Sequence, residues 1–235
     1  AQNRAASRLG PGRAAGWGLA SRYPHTCPGE SPMANHGTAS IPYPGESRGD
    51  VPSIAACQRL WERYEMLDNI KAHSLVVSGI AVQLGQIARD RGWDVDQPCL
   101  QAAALLHDLG KTYTIRHGGN HCQVGAAWTM EATGNPAIAQ GVMHHVHWPG
   151  PLDPERFFLP LAVLYADKRV RHEEIVSVRG RFDDILKRYG HTTRRCALIE
   201  TSRTQALELE HQFSTAIGVD LDAYPFDSRG LVERA

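Results

Sequence analysis

The chain has 235 residues, 42% hydrophobic and 21% charged, with 25 basic residues balanced by 25 acidic ones. That length holds one core with tails, and the zero formal charge speaks against an electrostatic nucleic-acid binder or an acidic tail. The apolar runs are too short to span a bilayer, and no signal-peptide core is visible.

Residues 1–52 carry seven prolines and eight glycines with little helical periodicity. This composition predicts a disordered or loosely attached extension. Arg4, Arg8, Arg13 and Arg22 precede the first acidic residue, Glu30, which resembles a weak transit peptide; an extension ahead of a start at Met33 fits better. From Ser53 the pattern becomes helical. Ser53 caps a helix running to about Tyr64, and Asp68 caps a second with Ile70, His73, Val77, Ile80, Leu84 and Ile87 on one face, ended by Gly92. Asp96 caps a third, with Pro98 in its first turn and Leu100, Ala103, Ala104 and His107 facing inward; Gly110 is its expected C-cap.

Thr112 to Asn120 has the composition of a polar loop. A fourth helix follows from His121 to about Thr133, stopped by Gly134, and Asn135-Pro136 opens a fifth to about His147. Trp148 to Pro160 contains four prolines and is expected as a loop, before a helix over Leu161–Arg169 and two more near Val178–Tyr189 and Thr193–Ile217. Strand alternation is missing, so the expected fold class is all-α, a helical bundle around a buried metal site. The folded unit is expected over 53–220, with a motif core at 69–170, C-terminal helices at 178–217 and an irregular tail at 221–235.

Most of the twelve histidines lie between His73 and His172. His73 and His107 fall on apolar helix faces, where an unpaired ring nitrogen costs about 1–3 kcal/mol. Alone, each is most simply a hydrogen-bonded core histidine. Asp108 changes the balance, because it sits at the negative end of an apolar helix with only Lys111 as a basic neighbour. A divalent cation would neutralise Asp108 and occupy both rings. Asp167 follows the apolar turn Val163-Leu164 and should point inward; adjacent Lys168 lies elsewhere on the helix. Together they make an N2O2 donor set suited to iron, manganese, cobalt or zinc.

The segments Asn69–Ser74 (NIKAHS), Ala103–Lys111 (AALLHDLGK) and Tyr165–Val170 (YADKRV), in that order and each in its expected helix, resemble the HD superfamily of metal-dependent phosphohydrolases, in its HD-I-G-type branch. The resemblance covers about Ser53 to Gly190. It implies a phosphoester or phosphoanhydride hydrolase acting through metal-activated water on a nucleotide or similar small phosphate, with Asp108 holding the metal and orienting or accepting the proton of that water. It also implies that His121, His144 and His145 hold a second metal bridged by Asp108, as in dinuclear members. The glutamate and Gly-Tyr-Pro of the cyclic-dinucleotide branch are replaced by Val146-His147-Trp148-Pro149-Gly150, which argues against that substrate.

Lys111 is the expected phosphate contact, with Arg116, Lys168 and Arg169 as further cations. Trp148 and its loop either stack a base or, with Phe157 and Phe158, pack on the core. The five scattered cysteines lack a C-x-x-C pair, which favours a reducing, cytoplasmic setting over disulfides. No membrane or nucleic-acid partner is expected, and self-association is possible. Two alternatives belong to other classes: an HD-fold mixed-valent di-iron oxygenase, and a regulatory metal-binding module without turnover.

Overall fold

The computed structural model describes residues 49–227, which form nine α-helices and one two-stranded hairpin. The expected all-α class is observed. Expectations for residues 1–48, including the Arg-rich stretch and Met33, lie outside the described residues.

Helix α1 (Ile54–Arg63) starts where Ser53 Oγ accepts from the Ala56 N–H at 3.3 Å. Helix α2 (Asp68–Asp90) departs from expectation at its start. Asp68 is its first helical residue rather than its cap, and Leu67 holds the cap position without a side-chain bond. The Leu67 N–H donates instead to Thr112 Oγ1 at 3.1 Å, so a tertiary hydrogen bond sets the chain's entry into the helix. Asp68 still suits the positive end of the helix dipole.

Helix α3 (Gln97–Leu106) is capped by Asp96 as expected, through the Cys99 N–H at 3.0 Å. Cys99, Leu100 and Ala102 to Leu106 are all buried, which makes α3 the central helix, packed against α2, α6 and α7. Its alanines let neighbouring backbones approach, while each buried Leu contributes about 1.5–3 kcal/mol.

Gly110 is not the left-handed cap expected of it. Its φ is −80°, and it serves as the N-cap of α4 (Lys111–His117), a helix lying within the predicted polar loop. Local propensity for α4 is poor, since Thr, Tyr and Ile fill its first turns. Packing overrides it: Thr112 is buried, and Tyr113 meets Trp128 edge-on at 5.5 Å. Gly110 is required for a different reason, because a Cβ there would stand 2.6 Å from both the Gly125 nitrogen and the His121 carbonyl oxygen.

Asn120 caps α5 (His121–Thr133), and Gly134, at φ +60°, ends it. Asn135 caps α6 (Pro136–His144), which stops three residues earlier than expected. Helix α7 (Phe158–Lys168) begins earlier than expected, with Pro160 inside its first turn, where a missing N–H costs little. Val170–Arg171 then pairs with Glu174–Ile175 as an antiparallel hairpin that the sequence does not signal; His172 turns it at φ +58°. Helices α8 (Val178–Tyr189) and α9 (Thr193–Ile217) match their expected spans. Packing continues past Asp220: Leu221 and Phe226 are buried, and the Leu221 carbonyl accepts from Arg169. Among the described residues, no helix is long and apolar enough to cross a membrane.

Candidate metal centre

Four elements bring histidines and carboxylates to one buried place. His73 comes from the middle of α2, His107 and Asp108 from the turn after α3, Asp167 from the end of α7, and His145 from the residue after α6. His121 opens α5 at the edge of the group. His107, Asp108 and His145 are at most 1% exposed, and His73 and Asp167 are 6% exposed.

Three imidazoles are oriented in the same way. The Nδ1 of His73 lies 2.9 Å from the His172 carbonyl, that of His107 2.7 Å from Ala104, and that of His145 2.7 Å from Val142. A carbonyl oxygen only accepts, so each Nδ1 carries a proton and each ring turns its Nε2 inward. Those nitrogens face the carboxylates. His73 Nε2 is 3.0 Å and His107 Nε2 3.7 Å from Asp167 Oδ1, and His107 Nε2 is 3.5 Å from Asp108 Oδ2. His121 Nε2 and His145 Nε2 each lie 3.6 Å from Asp108 Oδ1 and 3.1 Å from each other. His107 Nε2 and Asp108 Oδ1 are fully buried and have no hydrogen-bond partner among the described residues.

Buried ring nitrogens and carboxylate oxygens gathered this closely are unstable unless protons or a cation lie between them. The donor types and the partnerless atoms therefore fit a divalent metal, and His73, His107 and Asp108 offer donor atoms within 4.8 Å of one another. Carbonyl-oriented histidines are the usual support for metal ligation.

The remaining carboxylate oxygens are held by lysines. Lys111 Nζ lies 2.6 Å from Asp108 Oδ2, and Lys168 Nζ lies 2.5 Å from Asp167 Oδ2. Burial pushes the Asp108 carboxyl up, but Lys111 and His107 outweigh it and hold it well below the usual range. For Asp167 burial is likewise outweighed, by Lys168 and His73. Burial lowers the His107 pKa, yet the two carboxylates raise it above its ordinary value. His121 and His145 are pushed down, chiefly by burial, the former to about 4.

Several sequence expectations need revising here. His144 is turned away from the group, with its ring against Trp148 at 5.3 Å. Arg116 is exposed and paired with Glu65. Lys168 is 5% exposed, donating to Asp167 and to the His145 carbonyl at 3.2 Å. Arg169 is also buried and donates to the Val176 and Leu221 carbonyls and to Tyr165. Trp148 is buried, with its indole N–H on the Pro151 carbonyl at 2.9 Å, and Phe157 and Phe158 join the core, which is the packing outcome. Lys111 keeps a partly exposed side chain beside Asp108.

Sequence reasoning passed over Cys122. Its Sγ lies 3.7 Å from His121 Nε2, and it groups with His121 and His145 as a possible metal cluster. The adjacency of His121 and Cys122 at a helix start was the available signal. The four cysteines among the described residues are free thiols.

Residues 70–179 match the family model described as HD domain. The chain carries an HD domain. The match takes in the His107-Asp108 motif. An uncharacterized protein of Methanocaldococcus jannaschii is 26% identical over 132 residues, covering 52% of this chain and 76% of that protein. A protein named Ribonuclease Y from Wolinella succinogenes is 36% identical over 90 residues, 38% of this chain and 16% of the relative. One of the same name from Fervidobacterium nodosum is 28% identical over 145 residues, 60% of this chain and 27% of the relative. The HD-domain chain thus spans only a small part of those ribonucleases. No solved structure matches it.

Proposed function

We propose that this HD-domain chain is a phosphohydrolase that cleaves a phosphoester or phosphoanhydride bond of a nucleotide or similar small phosphate. His73, His107, Asp108 and Asp167 would hold iron, manganese, cobalt or zinc. The observation that carries this is the pair of fully buried, partnerless acceptor atoms, His107 Nε2 and Asp108 Oδ1, among inward-turned imidazoles. When bound, the metal supplies a water acidified from 15.7 toward roughly 7 and neutralises phosphate charge.

The chain's own residues divide the remaining work. Lys111 holds Asp108 Oδ2 at 2.6 Å, which leaves Oδ1, clear of donors, as the oxygen that would hold the metal and position its water. The depressed pKa of Asp108 suits a ligand better than a strong base. Lys111 is partly exposed and carries a fixed positive charge one helical turn from His107, where it can meet a substrate phosphate as a point charge. Lys168 keeps Asp167 Oδ2 occupied and leaves Oδ1 facing His73 and His107.

A second substrate class has one observation in its favour, the likeness to proteins named Ribonuclease Y. A phosphodiester in RNA presents the same reacting group. The test is phosphate or nucleotide release from nucleotides, dinucleotides, phosphomonoesters and short RNA by chelated protein, with each metal added back. Metal-restored hydrolysis supports the proposal, and the preferred arm names the substrate class. Oxygen consumption with an iron-dependent spectrum and no hydrolysis would favour the di-iron oxygenase instead; metal binding with neither activity would favour the regulatory module.

A further inference from the structure

The three inward-facing imidazoles do not find their carbonyl partners in the same way. His107 and His145 stand at helix ends, and each lies against the carbonyl three residues back in its own chain segment, Ala104 and Val142. His73 lies in the middle of α2, where the neighbouring carbonyls are taken up by the helix itself. Its Nδ1 donates instead to the His172 carbonyl at 2.9 Å, 99 residues further along the chain. The orientation of His73 therefore depends on a segment outside its own helix.

That segment is the loop of the short hairpin. Arg171 pairs with Glu174, so His172 and Glu173 make the turn and His172 takes its first position. Glycine is the usual occupant of a hairpin position at positive φ, yet His172 holds φ +58° with a side chain. Histidine is among the few non-glycine types that accept such a backbone, and β-branched residues resist it. Residues kept in that region gather at functional sites. The hairpin is tied to the end of α7 through Arg169, whose carbonyl accepts from the Val176 N–H at 2.8 Å and whose Nε donates to the Val176 carbonyl at 2.7 Å. From α8, Arg188 donates to His172 Nε2, and its Nε donates to Asp184 Oδ1 at 3.0 Å. The His172 and Arg188 side chains are exposed, so this clasp weighs less than the main-chain geometry. Asp184 and Arg188 lie beyond the residues that match the HD-domain model, 70–179.

We infer that His172 is a positioning residue for His73: its main-chain carbonyl, set by a positive φ, holds the Nδ1 proton of His73 and aims Nε2 at Asp167 Oδ1, 3.0 Å away. The inference rests on the reading of His73 as a metal ligand. With Nε2 as the donor atom to a cation, the Nδ1 proton stays on its carbonyl, so the same hydrogen bond serves the loaded and the metal-free protein. A residue that resists positive φ moves the carbonyl, and the His73 ring loses the partner that fixes its rotation. Loss of such an outer partner weakens metal binding about 10–100-fold.

The experiment is a zinc titration of the metal-free full chain in competition with a chromophoric chelator, on wild type, His172→Gly and His172→Val. Glycine keeps the carbonyl and accepts the positive φ, and should bind zinc within about threefold of wild type. Valine should bind it about 10–100-fold more weakly. A role for the His172 ring would weaken both variants alike, and a merely structural role would lower the denaturation midpoint of His172→Val without changing its affinity; either result overturns the inference. Nitrogen NMR of the imidazoles in the zinc-loaded wild type decides the question even if His172→Val folds poorly. The His73 ring, assigned by comparison with His73→Gln, should carry a slowly exchanging proton on Nδ1 and bind zinc through Nε2. A ring without that proton, or bound through Nδ1, overturns the inference. Equal zinc binding by all three proteins overturns it too and leaves the hydrolase proposal standing, whereas a wild type that binds no zinc overturns both.

Discussion

Lys168 shows how far one side chain's surroundings can differ from its sequence context. In the motif it reads as a helix-end cation; in the fold it is 5% exposed and joins Asp167 to the carbonyl of His145. Lys168→Met should cost about 3–5 kcal/mol in urea denaturation, since it leaves a buried carboxylate oxygen without its partner. A loss within about 0.5 kcal/mol would match a solvated lysine and refute this placement. Glu210 offers a pH test away from the metal centre. Burial raises its carboxyl above 4.5, against the hydrogen bond from Tyr165 and the charge of Arg169. The folded state therefore holds that proton more tightly than the unfolded state. Its contribution to stability is full below 4.5 and is lost as pH rises through the folded pKa. Glu210→Gln should gain stability relative to wild type as pH rises from 4.5 toward neutrality, read as the difference in Tm; a difference that stays constant with pH would contradict the assignment. His73, His107 and Asp167 stand out in the sequence as polar types in an apolar helical phase, and Asp108 as a carboxylate at the end of an apolar helix. His144 and His145 were not separable, since adjacent helical residues point about 100° apart and the sequence does not give the phase at a helix end.

Helix boundaries were legible where the signal is local. Ser53, Asp96, Asn120 and Asn135 all cap through their own side chains, and Gly134 ends α5 in the left-handed region. The expectation failed where a tertiary contact decides. Leu67 enters α2 through Thr112, α4 forms because Thr112 and Tyr113 pack, and the hairpin after α7 depends on His172 at positive φ. Gly110 is the clearest case. It reads as a C-cap, but its φ is negative and its function is to let the turn after α3 touch α5. That turn carries His107 and Asp108, and α5 carries His121, so the contact sets the spacing of the centre. Gly110→Ala meets backbone atoms that cannot rotate away, and a loss of about 1–3 kcal/mol is expected by chemical denaturation. An unchanged midpoint would show that the two backbones are free to separate.

Across the described molecule, stability and the centre are coupled. The turn after the central α3 carries His107 and Asp108, and α2, α6 and α7 pack on α3 while supplying His73, the His145 turn and Asp167. A metal that binds only this arrangement stabilises it by about 2.7 kcal/mol at a hundredfold excess over Kd. Chelation should therefore lower Tm, and re-addition of zinc or manganese should restore it in a concentration-dependent way; a Tm indifferent to both would mean that the acceptor cluster is satisfied by protons alone. The order of the motifs made the architecture legible from the HD-type segments, whereas the packing of Leu221 and Phe226 beyond the last helix was not, because an irregular segment has no period to read.

The most direct measurement is elemental analysis of the full chain purified without chelators, alongside His107→Ala prepared identically. At least one transition-metal ion per wild-type chain, absent from the variant, is the predicted result. A wild type free of metal, or a variant that retains its full complement, would contradict the account.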